Sequence, residues 1–257
     1  MSSTQVTNPP NFAVLSGLWS NLATFVANGD KTALRRLHAP ELSWAQVLGK
    51  KLGADEVHNY AVSRTRVKDL LTQIDGAKDT TDKSVAAFFF MGHNDLCHYT
   101  TTVDEFDERF RKEYSAAIAA WDAKHSGDTL YLVPPGDVDR VYKLLDGYTW
   151  LKTPSLTLTC NQSWDTVFPF CRENAKRLRE GKVSDHLIPR TKNIRTAMEE
   201  LAKEWTKKSE HNRFVFLEDI LQDAYKKEFF AVDCYHLSAY GQKALAEGIY
   251  RSMQSHH

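Results

Sequence analysis

The sequence lacks a surplus of charge of either sign. Its 257 residues include 33 Lys and Arg against 33 Asp and Glu, so the formal net charge is zero. Nucleic acids and anionic membrane surfaces attract proteins through clustered cations, and the sequence has no extended basic run. The charge pattern therefore argues against nucleic acid as a partner.

Long apolar runs are also missing. The longest, residues 85–91, has seven residues, whereas a helix needs roughly 20 apolar residues to cross a bilayer. We therefore predict no transmembrane segment. Residues 1–12 are polar and lack the basic and apolar parts of a signal peptide, so we expect a chain that is either cytosolic or already processed.

The sequence contains no Cys-x-x-Cys pair. Its four cysteines, Cys97, Cys160, Cys171 and Cys234, are not spaced like zinc ligands, and no metal or cofactor is predicted. Their even number and the glycosylation sequon Asn161-Gln162-Ser163 favour a secretory history over a cytoplasmic one. Three pairings stay open, and Cys160 with Cys171 closes the shortest loop.

Linkers and internal repeats are absent too, so we predict a single domain over residues 1–257. Apolar runs at residues 22–27, 57–62 and 84–91 alternate with amphipathic stretches at residues 42–52 and 65–74. This alternation predicts an α/β fold with a parallel sheet and helices on both of its faces.

Further along the chain, a capping box at Thr102 and Glu105 begins a predicted helix over residues 103–125. The remaining predictions are strands at residues 130–133, 213–217 and 229–232, helices at residues 167–179, 193–208 and 239–253, and an irregular insertion at about residues 149–170.

Three polar segments directly follow predicted strands. They are Asn28-Gly29-Asp30-Lys31, Gly92-His93-Asn94-Asp95 and Asp233-Cys234-Tyr235-His236. A carboxylate three residues before a histidine can orient the imidazole as a general base, and an Asn at a strand end can donate to an oxyanion. Since ligand crevices of parallel sheets lie at the carboxyl ends of the strands, the three segments predict one site.

These segments resemble sequence blocks of the GDSL or SGNH hydrolase superfamily, and within it of the phospholipase B-like lipases. Gly92-His93-Asn94-Asp95-Leu96-Cys97, the third block, is similar to their Gly-x-Asn-Asp-Leu-Cys. Residues 233–236, the fourth block, are similar to their Asp-Cys-Phe-His. Residues 28–31 and 59–64 stand where the first and second blocks are expected, and the resemblance extends over residues 22–253.

The resemblance implies a three-layer α/β/α sandwich with a central parallel sheet, as in flavodoxin-like folds, and hydrolysis of acyl esters. In that family a serine after Gly-Asp is the nucleophile, and a histidine with an aspartate activates it. The serine amide, a second-block glycine and a third-block asparagine bind the oxyanion. Asp233, His236 and Asn94 match these roles, whereas Lys31 stands in the place of the serine and Arg64 in the place of the glycine.

The two departures argue against ordinary serine-ester hydrolysis, because a lysine amine cannot form the acyl-ester intermediate. The predicted site therefore has Lys31, Asp233 and His236 as catalytic residues. The residues predicted to bind the oxyanion and the substrate are Asn94, Arg64, Gly92 and Asp30. Its ligand is expected to be a small acyl, carbonyl or anionic molecule, and the site either performs altered chemistry or only binds.

Several alternatives stay open. The chain could be a pseudoenzyme that binds a small anionic or lipid ligand, or a weak ester hydrolase that uses His236 with water or with Thr32. Ser16 or Ser20 could be the nucleophile if the first block is aligned differently. His93 could face the site or only stabilise a turn.

Overall fold

A computed structural model describes residues 43–62, 65–77, 85–96, 103–167, 176–177, 179–182, 184–218, 220, 225–231 and 234–255. In chain order its helices and strands are α1 (Trp44–Leu52), α2 (Leu70–Asp75), β1 (Ala86–Phe90), α3 (His93–Leu96), α4 (Val103–Lys124), β2 (Thr129–Val133), α5 (Val138–Leu145), β3 (Thr149–Lys152), β4 (Thr157–Thr159), α6 (Cys160–Val167), α7 (Ser184–Lys208), β5 (Arg213–Phe216) and α8 (Ala239–Gln254). Short 3-10 helices occur at Val67–Asp69 and Lys227–Phe229.

The main sheet is parallel, with β2 between β1 and β5. Its strands are apolar along most of their length, as expected for strands that helices cover on both faces. Successive side chains point to opposite faces of a strand, so each strand contributes to two cores. In β2, Leu130 and Leu132 belong to one core, and Tyr131 and Val133 belong to the other.

Helices cover both faces of this sheet. The first core holds the apolar stripes of α4 and α7, and the second core holds those of α1 and α8. This arrangement confirms the predicted α/β fold with helices on both sides of a parallel sheet.

The two long helices follow from their apolar spacing. In α4, Phe106, Phe110 and Tyr114 step by four residues and are fully buried, and the helix predicted over residues 103–125 is confirmed. The helix predicted at residues 193–208 begins earlier in the structure, at Ser184, as α7. Its added N-terminal part contains Leu187, which is buried in the same way as Ile194 further along the helix.

Two predicted strands are wrong. Residues 57–62 adopt neither helix nor strand, and the segment 229–232 begins in a 3-10 helix, after which Phe230 forms one isolated antiparallel bridge to Leu237. Both segments have strand-like composition, but a strand also needs a hydrogen-bonded neighbour along its length.

The segment predicted to be an irregular insertion is regular as far as it is described. A Thr153–Leu156 turn joins β3 to β4 in an antiparallel hairpin, and α6 follows directly. Trp164 of α6 is 1% exposed and belongs to the first core, so α6 is part of the main packing. Of the helix predicted at residues 167–179, residue 167 ends α6 and residues 176, 177 and 179 are helical, whereas residues 168–175 and 178 lie outside the described part of the chain.

Several predictions lie outside the described residues, among them the strand at residues 22–27 and the capping residue Thr102. The single-domain count stays a prediction. In the described part of the chain, none of the helices has the length and apolar character that a membrane crossing requires.

The packing of α8 depends on Gly248. A Cβ atom built on this residue would stand 2.0 Å from the carbonyl oxygen of Ile220 and 2.9 Å from its carbonyl carbon. These distances are well inside van der Waals contact, and the obstacle is backbone, so α8 can lie this close to the chain only with glycine here.

We predict that Gly248→Ala lowers the free energy of unfolding by about 1–3 kcal/mol, because overpacking outweighs the better helix propensity of alanine. Urea denaturation measures the change. Gly76→Ala is the matched control: Gly76 has φ −79°, and its nearest neighbour would be the Thr72 carbonyl oxygen at 3.6 Å, so no loss is expected. Equal stability of the two variants would contradict the close packing of α8.

Candidate active site

Three of the seven predicted site residues lie in the described part of the chain: Gly92, Asn94 and His236. The other four, Asp30, Lys31, Arg64 and Asp233, lie outside it. The third block follows the carboxyl end of β1, and the turn that begins at Pro134 follows the carboxyl end of β2. These segments therefore meet at the edge of the sheet where the sequence predicts the site.

Gly92 occupies a position that requires glycine. Its φ of +113° is one that side-chain-bearing residues rarely adopt, and an added Cβ would approach Pro135 Cγ at 3.2 Å and Ile194 Cδ1 at 3.6 Å. Its carbonyl oxygen accepts a hydrogen bond from the N–H of Leu96, which closes the turn of α3. Gly92 thus directs the chain from β1 into α3.

Asn94 connects the third block to the chain just after the second block. Its side chain is 3% exposed, and Nδ2 donates a 2.8 Å hydrogen bond to the carbonyl oxygen of Thr65. Since a carbonyl only accepts, this contact fixes the orientation of the amide. The other amide atom, Oδ1, is buried and has no hydrogen-bond partner among the residues that the structure describes.

Asp95 makes a second connection to the same segment. The N–H of Val67 donates to its carboxylate, at 3.1 Å from Oδ2 and 3.4 Å from Oδ1. Burial raises the pKa of Asp95 to about 6, although the Val67 hydrogen bond acts in the opposite direction. Two consecutive side chains of α3 therefore hold residues 65–67 in place.

His93 stabilises the turn after β2. Its Nε2 accepts a 2.9 Å hydrogen bond from the N–H of Gly136, and Phe90 packs edge-on against the ring at 4.9 Å. Burial lowers the pKa of His93, and a positive charge on His236 lowers it further. The imidazole is therefore neutral, with its proton on Nδ1.

The fourth block forms a closed loop before α8. The N–H of Ala231 donates to the carbonyl oxygen of His236 at 2.7 Å, and the N–H of Cys234 donates to the carbonyl oxygen of Ala231 at 2.9 Å. Ser238 then caps α8, because its Oγ accepts from the N–H of Gly241. The half-buried His236 is thus carried by a loop whose backbone is bonded on both sides.

A disulfide attaches this loop to α6. It joins Cys160 to Cys234, so of the three pairings left open by the sequence, the one that closes the shortest loop is not formed. Loop length determines only how easily two cysteines meet in the unfolded chain. In the folded chain the Cα atoms of Cys160 and Cys234 are 5.3 Å apart, which is within the range for a disulfide. Trp164 Nε1 also donates to the carbonyl oxygen of Cys234 at 3.1 Å.

Two residues that position this site, Asp95 and Trp164, are not among the site residues predicted from the sequence. Asp95 was available from the third block itself, as a carboxylate directly after the asparagine. Trp164 had no sequence signal beyond its size, because its partner is a backbone carbonyl 70 residues away. In the described segments, no three His, Cys, Asp or Glu side chains are grouped as metal ligands.

We predict that Asp95 makes stability fall as pH rises from 4 to 7. Its pKa in the unfolded chain is about 3.9, so the folded state binds the proton more tightly. This contribution is complete at acid pH and is lost as pH rises through about 6. Asp95→Asn keeps an acceptor for Val67 and removes the titration. Relative to the parent, its free energy of unfolding should therefore gain on the order of 2–3 kcal/mol between pH 4 and pH 7.

Urea denaturation at both pH values checks this expectation, with the exposed Asp55→Asn as control. An Asp95→Asn curve that stays parallel to the parent curve across this range would show that Asp95 is ionised in the folded state.

One comparison with known proteins identifies the family of the chain. The family model for GDSL-like lipase/acylhydrolase domains matches residues 20–249, which include all four blocks. No curated protein matches the chain. Together with the parallel sheet and its helical layers, the match shows that the chain belongs to the GDSL-like lipase/acylhydrolase family.

Proposed function

We propose that the chain is a divergent GDSL-family protein whose ester-hydrolase site is rebuilt around Lys31 and Arg64. Asn94 and His236 complete the proposed site, and its ligand is a small acyl, carbonyl or anionic molecule. Ordinary hydrolysis through a serine acyl-ester is lost, because a lysine amine would give an amide that the same site could not readily hydrolyse.

The observation that carries this proposal is the hydrogen bond from Asn94 to Thr65. Arg64 directly precedes Thr65, and consecutive Cα atoms are about 3.8 Å apart. The Thr65 carbonyl oxygen is 2.8 Å from Asn94 Nδ2, and Asp95 holds the chain again at Val67. These contacts support a position of Arg64 beside Asn94, where the family has a glycine that faces the oxyanion.

The free acceptor of Asn94 supports the same proposal. A buried oxygen without a partner costs about 1–3 kcal/mol, and a cation or a ligand hydroxyl would remove that cost. An ammonium or guanidinium group is a strong donor to such an oxygen. The unsatisfied Oδ1 therefore fits a site in which cations replace the serine and the glycine.

His236 would supply proton transfer in this site, with Asp233 as its orienting carboxylate. A lysine next to Arg64 would have a lowered pKa, and its neutral amine could act as a base or form a Schiff base with a carbonyl ligand. The alternative is a binding module without turnover, in which the two cations hold an anionic head group. The disulfide between Cys160 and Cys234 supports our further proposal of a secretory history, since such bonds persist in oxidising compartments.

We predict that the chain hydrolyses short and long acyl esters slowly, and that Lys31→Ser/Arg64→Gly is faster. Restoring one oxyanion donor alone is worth about 10²–10³ in rate, and a serine restores the nucleophile. Initial rates with a series of p-nitrophenyl esters measure this difference. Lys31→Ser alone should fall between the two, because Arg64 still fills the oxyanion position.

His236→Ala in the double variant is the control, and it should remove the gained activity. Robust hydrolysis by the unmodified chain that survives His236→Ala would contradict the whole site assignment. Borohydride trapping of a carbonyl ligand on Lys31 would select Schiff-base chemistry over binding alone.

We also predict that the unmodified chain binds inorganic phosphate, sulfate or carboxylates at this site. Each charge-assisted hydrogen bond contributes about 1.5–3 kcal/mol, so Lys31→Gln or Arg64→Gln should weaken binding by about 10- to 100-fold. Isothermal titration calorimetry at low ionic strength measures the affinity. Arg213→Gln is the matched control, because Arg213 begins β5 at the opposite end of the sheet and should leave the affinity unchanged. Equal losses in all three variants would indicate nonspecific attraction.

A further inference from the structure

Cys234 has a backbone conformation that its residue type disfavours. Its φ is +59°, in the left-handed region, and a residue with a Cβ atom adopts such a φ only when contacts compensate for the steric cost. In the described part of the chain, every other residue with a positive φ is a glycine, and these are Gly53, Gly92, Gly127, Gly147 and Gly181. Position 234 therefore calls for a glycine, and a cysteine stands there instead.

The conformation of Cys234 closes the loop that carries His236. The N–H of Cys234 donates to the carbonyl oxygen of Ala231 at 2.9 Å, and the N–H of Ala231 donates to the carbonyl oxygen of His236 at 2.7 Å. Short connections between antiparallel segments often reverse direction through a left-handed residue, for which glycine and asparagine are the usual choices. A change of φ at residue 234 would therefore move His236, which is two residues further on.

Two contacts with α6 hold Cys234 in this conformation. The disulfide to Cys160 fixes its side chain, and Nε1 of Trp164 donates to its carbonyl oxygen at 3.1 Å. Trp164 comes four residues after Cys160, so both contacts come from one face of the helix. Because the side chain and the carbonyl group of a single residue are both bound, rotation about its backbone bonds is restricted.

α6 is itself a firm support for these contacts. Trp164 is buried and packs edge-on against Tyr142 of α5, with ring centroids 4.8 Å apart. The ring of Tyr142 also lies 6.4 Å from that of Tyr235, the residue directly before His236. One aromatic cluster thus joins the helix that supports Cys234 to the loop that carries the histidine.

We propose that Cys234 is a positioning residue for His236. The disulfide and the hydrogen bond from Trp164 keep residue 234 left-handed, and this conformation directs the imidazole of His236 into the proposed site. The inference rests on the proposed function only for the role of His236 in proton transfer. What the loop needs at position 234 is then a backbone conformation, which the disulfide imposes on a residue type that does not favour it.

Two other roles of the disulfide explain less. A cross-link between residues 74 positions apart stabilises a fold by restricting the unfolded chain, but that role places no demand on φ at either cysteine. A disulfide that exchanges with thiols must be accessible to the attacking thiolate, and both cysteines are buried. Neither role accounts for a left-handed cysteine two residues before His236.

Two double variants without the disulfide test the proposal. Cys160→Ala/Cys234→Gly adopts the left-handed conformation at no steric cost, whereas Cys160→Ala/Cys234→Ala does so only at a cost. Hydrogen exchange of the Ala231 amide, which bonds to His236, reports opening of the loop and is followed by NMR. Relative to the amide of Leu132 in the central strand, it should exchange about tenfold faster in the alanine variant than in the glycine variant.

A cross-link without a positioning role predicts the opposite order. Glycine at position 234 would then loosen the chain more than alanine, because glycine loses more conformational freedom on folding. Equal exchange at Ala231 in the two variants, or faster exchange in the glycine variant, would overturn the proposal.

Ester hydrolysis supplies the functional measurement. In the Lys31→Ser/Arg64→Gly background, the alanine pair should lower kcat for p-nitrophenyl esters about tenfold more than the glycine variant does, with KM nearly unchanged. Equal kcat values in that background would overturn the positioning role alone. If the Ala231 amides show the expected order but no variant gains esterase activity, the proposed function fails and the left-handed role of Cys234 stands.

The chain with its disulfide intact decides the matter if a double variant does not fold. A positive φ brings the amide and α protons of a residue close together, so Cys234 should show a strong intraresidue nuclear Overhauser effect. Trp164→Phe keeps the disulfide and an aromatic ring but removes the donor, and it should speed exchange at Ala231 by about threefold to tenfold. A weak effect at Cys234, or unchanged exchange in Trp164→Phe, would overturn the proposal.

Discussion

The parallel pairing of β1, β2 and β5 is the constraint on which the rest of the structure depends. Because the three strands run in one direction, their carboxyl ends meet at one edge, and the polar turns after β1 and β2 lie side by side. The same pairing requires both faces to be buried, which α4 and α7 on one side and α1 and α8 on the other provide. Site position and core packing thus have the same cause.

Hydrogen bonds to backbone then hold the loops at that edge. The side chains of α3 bind the chain at residues 65 and 67, His93 binds the turn at Gly136, and Trp164 binds the loop that carries His236. Each of these side chains reaches a backbone group far away in sequence. Their joint effect is to hold residues 65–67 and the turn at Gly136 against α3, and the loop that carries His236 against α6.

The sequence predicts this fold where local pattern and tertiary packing agree. The helices α4 and α8 and the strand β2 are examples, because apolar spacing and capping chemistry are local properties. Residues 57–62 and 229–232 show the limit, since strand composition alone does not supply a hydrogen-bonded neighbour. The disulfide partner of Cys160 was not predictable either, because the fold, and not loop length, brings Cys234 to it.

The candidate site was predictable as a set of blocks, whereas its internal bonding was not. Asn94 could be recognised from its block, but its pairing with Thr65 depends on where a distant turn lies. That pairing also bears on the chemistry. It commits one amide proton of Asn94 to a backbone carbonyl and leaves Oδ1 as a buried acceptor. An oxyanion requires donors only, whereas a cation requires an acceptor, so an Asn94 oxygen without a partner among the described residues fits our proposal of basic residues in place of the serine and the glycine.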